Sequence, residues 1–282
     1  MRGGLLFSET TPYGSSTVRE VDKVFYFGKT KFQNVLIARS PTIGTFLALD
    51  NVIQSSEIDC HVYHEVLVHS SMITVRDPKK ALILGGGEGT TASELLRYKG
   101  VSIDWVEIDG EVVELCKKYL PYALKRNDKR VNLVIGDAID FVYKTKDKYD
   151  VIFGDLIDPY QVPIATDVYS ERFARQISRS LTKDGVYVTL GWDLKKSGWD
   201  YSQMPIYLKK VFPVVRAMNF YMPGFSMVFT LILASKGRDP KAIDPEEISR
   251  RVAGLDGRLK YYNPDEHLAL FSMYNKTPGL HP

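Results

Sequence analysis

Two aspartates in the stretch FGDLIDPY, residues 153–160, could carry out chemistry. Asp155 and Asp158 stand three residues apart, and carboxylates so close repel each other unless a positive charge lies beside them. Asp-x-x-Asp-Pro is also a common way to end a strand and begin a turn, with Pro159 fixing the backbone. The pair by itself is therefore compatible with a cation site and with a simple turn.

A glycine-rich stretch, ALILGGGEGTTASELL, lies between a predicted strand and a predicted helix. Gly85 and Gly87 would let the backbone approach a ligand, and the start of the helix would offer free N–H groups. A tight strand-to-helix turn is the simpler alternative. The loop lacks the Gly-Lys-Ser/Thr of a phosphate-binding loop, and Thr90 stands where a dinucleotide fingerprint has glycine. Glu88 would repel a phosphate but attract an ammonium group, so the pattern predicts a nucleoside that carries a cation.

Two further acids follow predicted strands of the same region. Glu107 ends the second strand, about 20 residues after the loop, where a carboxylate can accept both ribose hydroxyls. Asp137 follows the third strand, beside Ala138, and could accept a hydrogen bond from an adenine amino group. Each acid alone is as typical of a helix N-cap, but acids after successive strands together favour a nucleoside site.

The hydrophobic pattern predicts the elements that must position these residues. After Pro78, short buried strands alternate with helices, which predicts a mostly parallel sheet with ligands at the C-terminal strand ends. The strand candidates are residues 81–84, 102–106, 132–135, 149–154 and 186–190. Two later runs, 213–222 and 226–237, predict an antiparallel pair at one edge, and a surface loop at 236–247 precedes a final helix.

The front of the chain has a different pattern. Residues 20–55 hold short runs of β-branched and aromatic residues separated by turn residues, and residues 61–75 have helical spacing. We therefore predict a doubly wound, mostly parallel α/β fold with a small β domain in front. The predicted boundaries are 1–60 for the β domain, 61–78 for a linking helix and 79–282 for the nucleoside-binding domain with a C-terminal extension.

Composition excludes several classes of protein. No run reaches the roughly 20 apolar residues of a membrane span, and the N-terminus lacks a secretory signal, so we expect a cytoplasmic protein that has no membrane partner. A formal net charge of +3 with interleaved acids and bases gives no indication of nucleic-acid binding. Cys60 and Cys116 are expected to be buried thiols. No metal spacing involves His61, His69, His267 or His281, which we expect at the surface or on helix faces. Trp192 and Trp199 are expected to serve packing or to form part of a pocket wall.

Five motifs together resemble the polyamine aminopropyltransferases, the spermidine synthase family. They are LDNVIQSSEIDCHVYHEVLVH (49–69), LGGGEGTTASELLRY (84–98), VEID (106–109), GDA (136–138) and GDLIDP (154–159), in a specific order and spacing. Within the family, the chain looks most like the thermospermine synthases. The features that carry this resemblance are Glu88 where aspartate is usual, the motif GDLIDP, the MPGF stretch and the segment EEISRRVAGLDGRLKYYN.

The resemblance implies a Rossmann-like methyltransferase fold that acts on decarboxylated S-adenosylmethionine. The aminopropyl group of this donor passes to an amine of a polyamine, and 5′-methylthioadenosine leaves. Because the sulfonium is already a good leaving group, we expect no cofactor and no metal. The resemblance also implies a homodimer or a homotetramer.

Roles for individual residues follow from the motifs that carry the resemblance. On the donor side, the resemblance assigns Gln33, Gln54 and His64 to the nucleoside and aminopropyl region. It assigns Gly85 and Gly87 to the loop and Glu88 to the ammonium. Glu107 is assigned to the ribose, and Asp137 with Ala138 to the adenine edge. The reacting ends of the substrates are expected to meet Tyr63, His64, Glu88, Asp155 and Asp158. Asp155, oriented by Tyr63, is the predicted proton acceptor, and Asp158 is predicted to hold a distal ammonium.

Two features depart from the family pattern. A proline expected near the adenine falls on Val162, with Pro163 next to it, and the stretch NFYMPGFSMVF lacks the Tyr-Pro-Ser-Gly-Gln of many spermidine synthases. Spermidine is therefore the predicted acceptor and putrescine the alternative. An S-adenosylmethionine methyltransferase and a non-catalytic polyamine-binding protein are more distant alternatives, since Glu88 suits a substrate carboxylate poorly and a mere sensor would not need Asp155 or Tyr63.

Overall fold

The computed structural model describes residues 4–10, 16–156, 168, 170–191 and 203–272. Several predictions concern residues outside these ranges, namely Asp158, Val162, Pro163, Trp192, Trp199 and His281.

Antiparallel strands form the front of the chain. A hairpin pairs β1 (Leu5–Thr10) with β2 (Ser16–Val21), and a four-stranded sheet follows in the order β3 (Lys23–Lys29), β4 (Asn34–Ser40), β5 (Gly44–Leu49) and β6 (Val52–Ser56). Asp50 and Asn51 make the turn between β5 and β6 with φ angles of 45° and 67°, which these short polar residues tolerate. Strand β1 and most of β2 lie within the predicted β domain but before residue 20, where the β-rich sequence pattern begins.

Helix α1 (Cys60–Thr74) leads into a seven-stranded sheet. Five strands are parallel: β7 (Lys80–Gly85), β8 (Ser102–Glu107), β9 (Val131–Ile135), β10 (Tyr149–Asp155) and β11 (Leu181–Leu190). Antiparallel β12 (Val214–Met222) and β13 (Met227–Ser235) complete one edge, in the spatial order β12-β13-β11-β10-β7-β8-β9. The strand order reverses between β7 and β10, and sheets of this kind bind ligands at such a point.

Helices connect the strands of this sheet. They are α2 (Thr90–Leu95), α3 (Gly110–Tyr119), α4 (Ala138–Lys144), α5 (Glu171–Ser180) and α6 (Gln203–Lys209). The predicted α/β class, with its antiparallel edge and its β region in front, is confirmed, whereas the domain boundaries stay a prediction. The prediction of a single final helix is wrong, because two helices, α7 (Pro245–Ala253) and α8 (Pro264–Leu270), follow β13. Each begins with a proline that is preceded by a capping Asp or Asn.

The two faces of the sheet carry separate apolar clusters. Leu82 and Ile83 are adjacent in β7, yet they are fully buried in different clusters, because side chains alternate between the faces of a strand. Helix α1 contributes Val66 and Leu67 to the cluster of Ile83, and α5 contributes Phe173 to the cluster of Leu82. Within the described ranges, no helix has both the length and the apolar composition needed to cross a membrane.

Helix α1 is buried along nearly all of its length, so its polar side chains need partners inside the protein. Glu65 accepts the backbone N–H groups of residues 260–262, each at 2.8 Å, and thereby fastens the C-terminal segment to α1. His69 Nε2 lies 3.1 Å from Glu94 Oε2, and its Nδ1 lies 2.9 Å from the hydroxyl of Tyr98.

Two of the histidines expected at the surface or on helix faces lie on helices. These two, His69 and His267, are fully buried. His267 Nε2 donates to the Pro240 carbonyl at 2.9 Å, so it too has a partner inside the protein. Cys60 and Cys116 are buried free thiols, as predicted.

Candidate active site

A cavity of about 430 Å³ opens at the C-terminal ends of β7, β8 and β10, at the switch point of the sheet. All the predicted site residues that the structure describes contribute to its lining: Gln33, Gln54, Tyr63, His64, Gly85, Gly87, Glu88, Glu107, Asp137, Ala138 and Asp155. They come from the β region in front, from helix α1, and from the strand ends and loops of the central sheet. The roles assigned to them stay predictions, but their convergence on one cavity is a property of the fold.

Glu107 and Asp137 stand at one end of the cavity in different environments. Glu107 is buried and accepts the backbone N–H of Asp109 at 2.9 Å. Asp137 is exposed and caps α4, with Oδ1 accepting the N–H groups of Ile139 and Asp140 at 2.7 and 3.1 Å. The capping function considered for Asp137 is therefore real, and it fixes the carboxylate beside the cavity. Ile108, which follows Glu107, is 43% exposed and leaves an apolar surface in the lining.

The burial of Glu107 leads to a pH-dependent stability. Burial raises the pKa of Glu107 to about 7, although the Asp109 N–H opposes the shift. Between pH 4.5 and about pH 7, Glu107 keeps a proton in the folded protein that it has lost in the unfolded chain. The stability that comes from this proton is therefore fully present below pH 4.5 and is lost as the pH rises through about 7. It amounts to roughly 3 kcal/mol.

We expect Glu107→Gln to remove this part of the pH dependence. The measurement is urea unfolding of the ligand-free protein at pH 4.5 and at pH 7. The free energy of unfolding should fall between these two pH values, and the fall should be smaller in the variant than in the wild type. Other buried carboxyl groups contribute equally to both proteins, so the difference isolates Glu107. An identical fall in both proteins would show that Glu107 titrates normally.

Gly85 brings the glycine-rich loop against the end of β10. Its φ angle is 85°, and a Cβ atom there would lie 2.3 Å from the Asp155 carbonyl oxygen. Only glycine fits this approach without displacing the neighbouring strand. Trp105 Nε1 donates to the Gly85 carbonyl at 2.8 Å and fixes the start of the loop. The loop thus places Glu88 and Asp155 in the same cavity.

The carboxylate of Glu88 is buried, and its two oxygens have different surroundings. Ser55 donates its hydroxyl to Oε2 at 2.6 Å. His64 Nε2 lies 3.2 Å from Oε1, within ion-pair distance, but the contact is not aligned as a hydrogen bond. Oε1 therefore has no hydrogen-bond partner among the residues that the structure describes. Burial raises the pKa of Glu88, and the neighbouring His64 and Ser55 oppose the shift. An N–H donor in the cavity would complete this group.

His64 stands between two carboxylates. Its Nδ1 lies 2.6 Å from the Cys60 carbonyl, and because a carbonyl only accepts, Nδ1 carries a proton. Nε2 then faces Glu88 Oε1 at 3.2 Å and Asp155 Oδ2 at 4.0 Å. The cavity consequently concentrates negative charge on both sides of one imidazole, which is an arrangement that favours a cationic ligand.

Asp155 is held by two hydroxyl groups. Tyr63 donates to Oδ1 at 3.0 Å, as predicted for the pair, and Thr91 donates to Oδ2 at 2.7 Å. Thr91 was not among the predicted site residues. Its position in the first turn of α2, directly after the glycine-rich loop, is the signal that could have indicated it.

Asp109 lies behind the lining of the cavity, where it holds Gln33, and it was not among the predicted residues. Its Oδ2 accepts the Thr30 hydroxyl at 2.6 Å and the Gln33 side-chain amide at 3.0 Å, while Oδ1 caps α3. Gln33 is thus fixed by Asp109 at the cavity rather than free to turn. The sequence signal is the N-cap pattern of an aspartate directly before a helix, but the partner residues lie too far away in the sequence to be inferred.

Comparison with known proteins identifies the family. Residues 60–243 match the Spermine/spermidine synthase domain, and residues 5–57 match the Spermidine synthase tetramerisation domain. The polyamine aminopropyltransferase of Pyrobaculum calidifontis is 36% identical over 277 residues, which are 96% of this chain and 96% of that protein. Polyamine aminopropyltransferase 2 of Hyperthermus butylicus is 34% identical over 270 residues, 94% of this chain and 88% of that protein.

Solved structures show the same relationship. A crystal structure of spermidine synthase in complex with the transition state analogue AdoDATO matches this chain with a TM-score of 0.89 and 31% sequence identity. The match covers 99% of this chain and 96% of the chain in that structure. The crystal structure of spermidine synthase from Thermotoga maritima has a TM-score of 0.88 at the same identity and coverage. The chain therefore belongs to the spermine/spermidine synthase family, and the resemblance seen in its motifs is confirmed.

Proposed function

We propose that the protein transfers the aminopropyl group of decarboxylated S-adenosylmethionine to a polyamine and releases 5′-methylthioadenosine. The observation that carries the proposal is the buried Oε1 of Glu88, which accepts no hydrogen bond from the described residues and shares the cavity with Asp155. A donor that bears a terminal ammonium supplies what this oxygen lacks. The relatives named polyamine aminopropyltransferase support the same activity.

The nucleoside occupies the end of the cavity formed by the carboxyl ends of β8 and β9. Glu107 accepts the ribose hydroxyls, and Asp137 with Ala138 faces the edge of the adenine. The exposed side chain of Ile108 offers an apolar surface for the face of the base. Gln33 and Gln54 close this end from the β region in front.

The acceptor amine approaches between Tyr63 and Asp155. One carbon–nitrogen bond forms as the carbon–sulfur bond breaks, so the amine must lose a proton to Asp155 and the sulfur leaves as a neutral thioether. Asp158 is proposed to hold a distal ammonium of the acceptor. Because the sulfonium leaves without help, the reaction needs no metal and no cofactor.

Spermidine is the proposed acceptor, which would make the product thermospermine. The apolar side chains of Met222, Phe225 and Phe229 in the lining support a long acceptor, since they suit the methylene groups of a chain. We expect purified protein with decarboxylated S-adenosylmethionine to convert spermidine faster than putrescine, norspermidine or agmatine. Isomer-resolving chromatography of the products tests this, and faster conversion of putrescine would make the protein a spermidine synthase.

We further propose a homodimer or homotetramer in the cytoplasm. The β hairpin in front exposes Leu5, Leu6 and Val18, and β3 exposes Phe27, an apolar surface that a second copy of the chain would cover. The match to a tetramerisation domain in this region supports the same proposal. Light scattering should give a mass of two or four chains, and the mass of one chain would contradict it.

A further inference from the structure

The turn between β12 and β13 forms an apolar part of the cavity. Met222, Phe225 and Phe229 line the cavity there, and we call these three side chains the end wall. Phe229 lies edge-on to Tyr63, with ring centroids 6.4 Å apart, and Phe225 packs on Phe229 at 4.7 Å. Tyr63 in turn donates a hydrogen bond to Asp155. The end wall therefore contacts, through Phe229, the tyrosine that holds the Asp155 carboxylate.

Side chains from the front of the chain hold the backbone of this turn. The Gly224 N–H donates to Asp59 Oδ2 at 2.6 Å, and Arg19 Nη2 donates to the Gly224 carbonyl at 2.5 Å. Ser56 donates its hydroxyl to Asp59 Oδ1 at 2.6 Å and so orients the carboxylate. Both backbone polar groups of Gly224 are therefore bonded to residues that precede it by 165 and 205 positions.

Gly224 is packed closely against Ser56 and Asp59, with no room for a side chain. A Cβ atom at this position would lie 2.3 Å from Ser56 Oγ and 2.8 Å from Asp59 Oδ2. Ser56 and Asp59 are fully buried, so neither can move aside into solvent. Phe225 also packs against the apolar core of the β region in front. The main chain and the side chains of the turn thus both rest on that region.

We propose that Arg19 and Asp59 are positioning residues that fix the end wall and thereby set the length of the polyamine acceptor. The proposal rests on the aminopropyltransferase function proposed above. In an apolar pocket, one methylene more or less changes discrimination by about 10- to 200-fold, so a small displacement of the end wall is enough to change the preferred acceptor. Because the bonds of Arg19 and Asp59 are made to the turn, the affinity for the nucleoside should be unaffected.

Arg19→Met tests the proposal, because it removes the bond to the Gly224 carbonyl and keeps an unbranched apolar side chain. The matched control is Arg39→Met, which removes an exposed ion pair with Asp22 in the same β region. For each protein, kcat and KM are measured with putrescine, cadaverine, spermidine and norspermidine, and calorimetry gives the Kd of methylthioadenosine. We expect the ratio of kcat/KM between spermidine and putrescine to change by about tenfold in Arg19→Met, mainly through KM.

The control should keep the wild-type ratio, and all proteins should keep the wild-type Kd for methylthioadenosine. If Arg19→Met does not fold, Gly224→Ala provides the second test, because it displaces the same turn from within. An unchanged acceptor ratio in active Arg19→Met overturns the role of Arg19, and an unchanged ratio in active Gly224→Ala, whose Cβ would press on Asp59, overturns the role of Asp59. A wild-type protein that binds methylthioadenosine but transfers no aminopropyl group to any of the four amines overturns the proposed function instead.

Discussion

Replacing Asp155 with asparagine should lower the turnover number by about 100- to 10,000-fold, the range typical of a general base. The affinity for methylthioadenosine should stay within about twofold, since this product lacks the amine that Asp155 serves. Steady-state kinetics with the preferred polyamine and calorimetry with methylthioadenosine measure the two quantities separately.

The size of the effect follows from the protonation of the acceptor. A primary amine with a pKa near that of lysine, about 10.4, is neutral in about one molecule in 2,500 at pH 7, which is a handicap of roughly 4–5 kcal/mol. Only the neutral amine has a lone pair with which to attack the carbon beside sulfur. A proton acceptor within the site removes part of this handicap, and an amide in its place cannot.

Asparagine is the informative replacement because it preserves the surroundings of Asp155. Its amide oxygen can accept the hydroxyl of Tyr63, and its amide nitrogen can donate to the hydroxyl of Thr91, so both existing contacts find a partner. Asp147→Asn, which changes an exposed carboxylate paired with Lys80, is the matched control and should keep normal turnover. Near-normal turnover of Asp155→Asn would remove Asp155 from the role of base.

Local hydrophobic pattern was sufficient to predict the strands that build the site. The runs at 81–84 and 149–154 became β7 and β10, and because parallel strands end at one edge of the sheet, Glu88 and Asp155 had to lie near each other. The motifs then supplied the roles. The order of the strands adds the switch point, which explains why the cavity lies between β7 and β10.

Contacts between distant parts of the chain were not predictable. His69 has an ordinary helix-face position in the sequence, and only the fold shows that Glu94 and Tyr98 surround it inside the protein. In the same way, nothing in the MPGF stretch indicates that Gly224 is bonded to Arg19. Burial and pairing of such polar groups depend on tertiary packing, which a single sequence does not contain in readable form.

Glu88→Gln should weaken the binding of decarboxylated S-adenosylmethionine by about 10- to 150-fold, the cost of losing one hydrogen bond to a charged group. Methylthioadenosine has neither the ammonium nor the sulfonium, so its affinity should change little. Glutamine keeps the length of the side chain and an oxygen for the hydroxyl of Ser55, so the loop has no reason to move. Calorimetry with both ligands gives the two changes in Kd.

A third ligand separates the ammonium from the sulfonium charge. The thioether 5′-(3-aminopropylthio)adenosine has the ammonium but a neutral sulfur, and it should lose affinity for Glu88→Gln about as strongly as the donor does. The matched control is Glu107→Gln, which should weaken all three ligands alike, because each contains the ribose. Equal losses for methylthioadenosine and the aminopropyl ligands in Glu88→Gln would mean that Glu88 supports the loop and binds no ammonium, since an electrostatic partner acts only on a ligand that carries the charge.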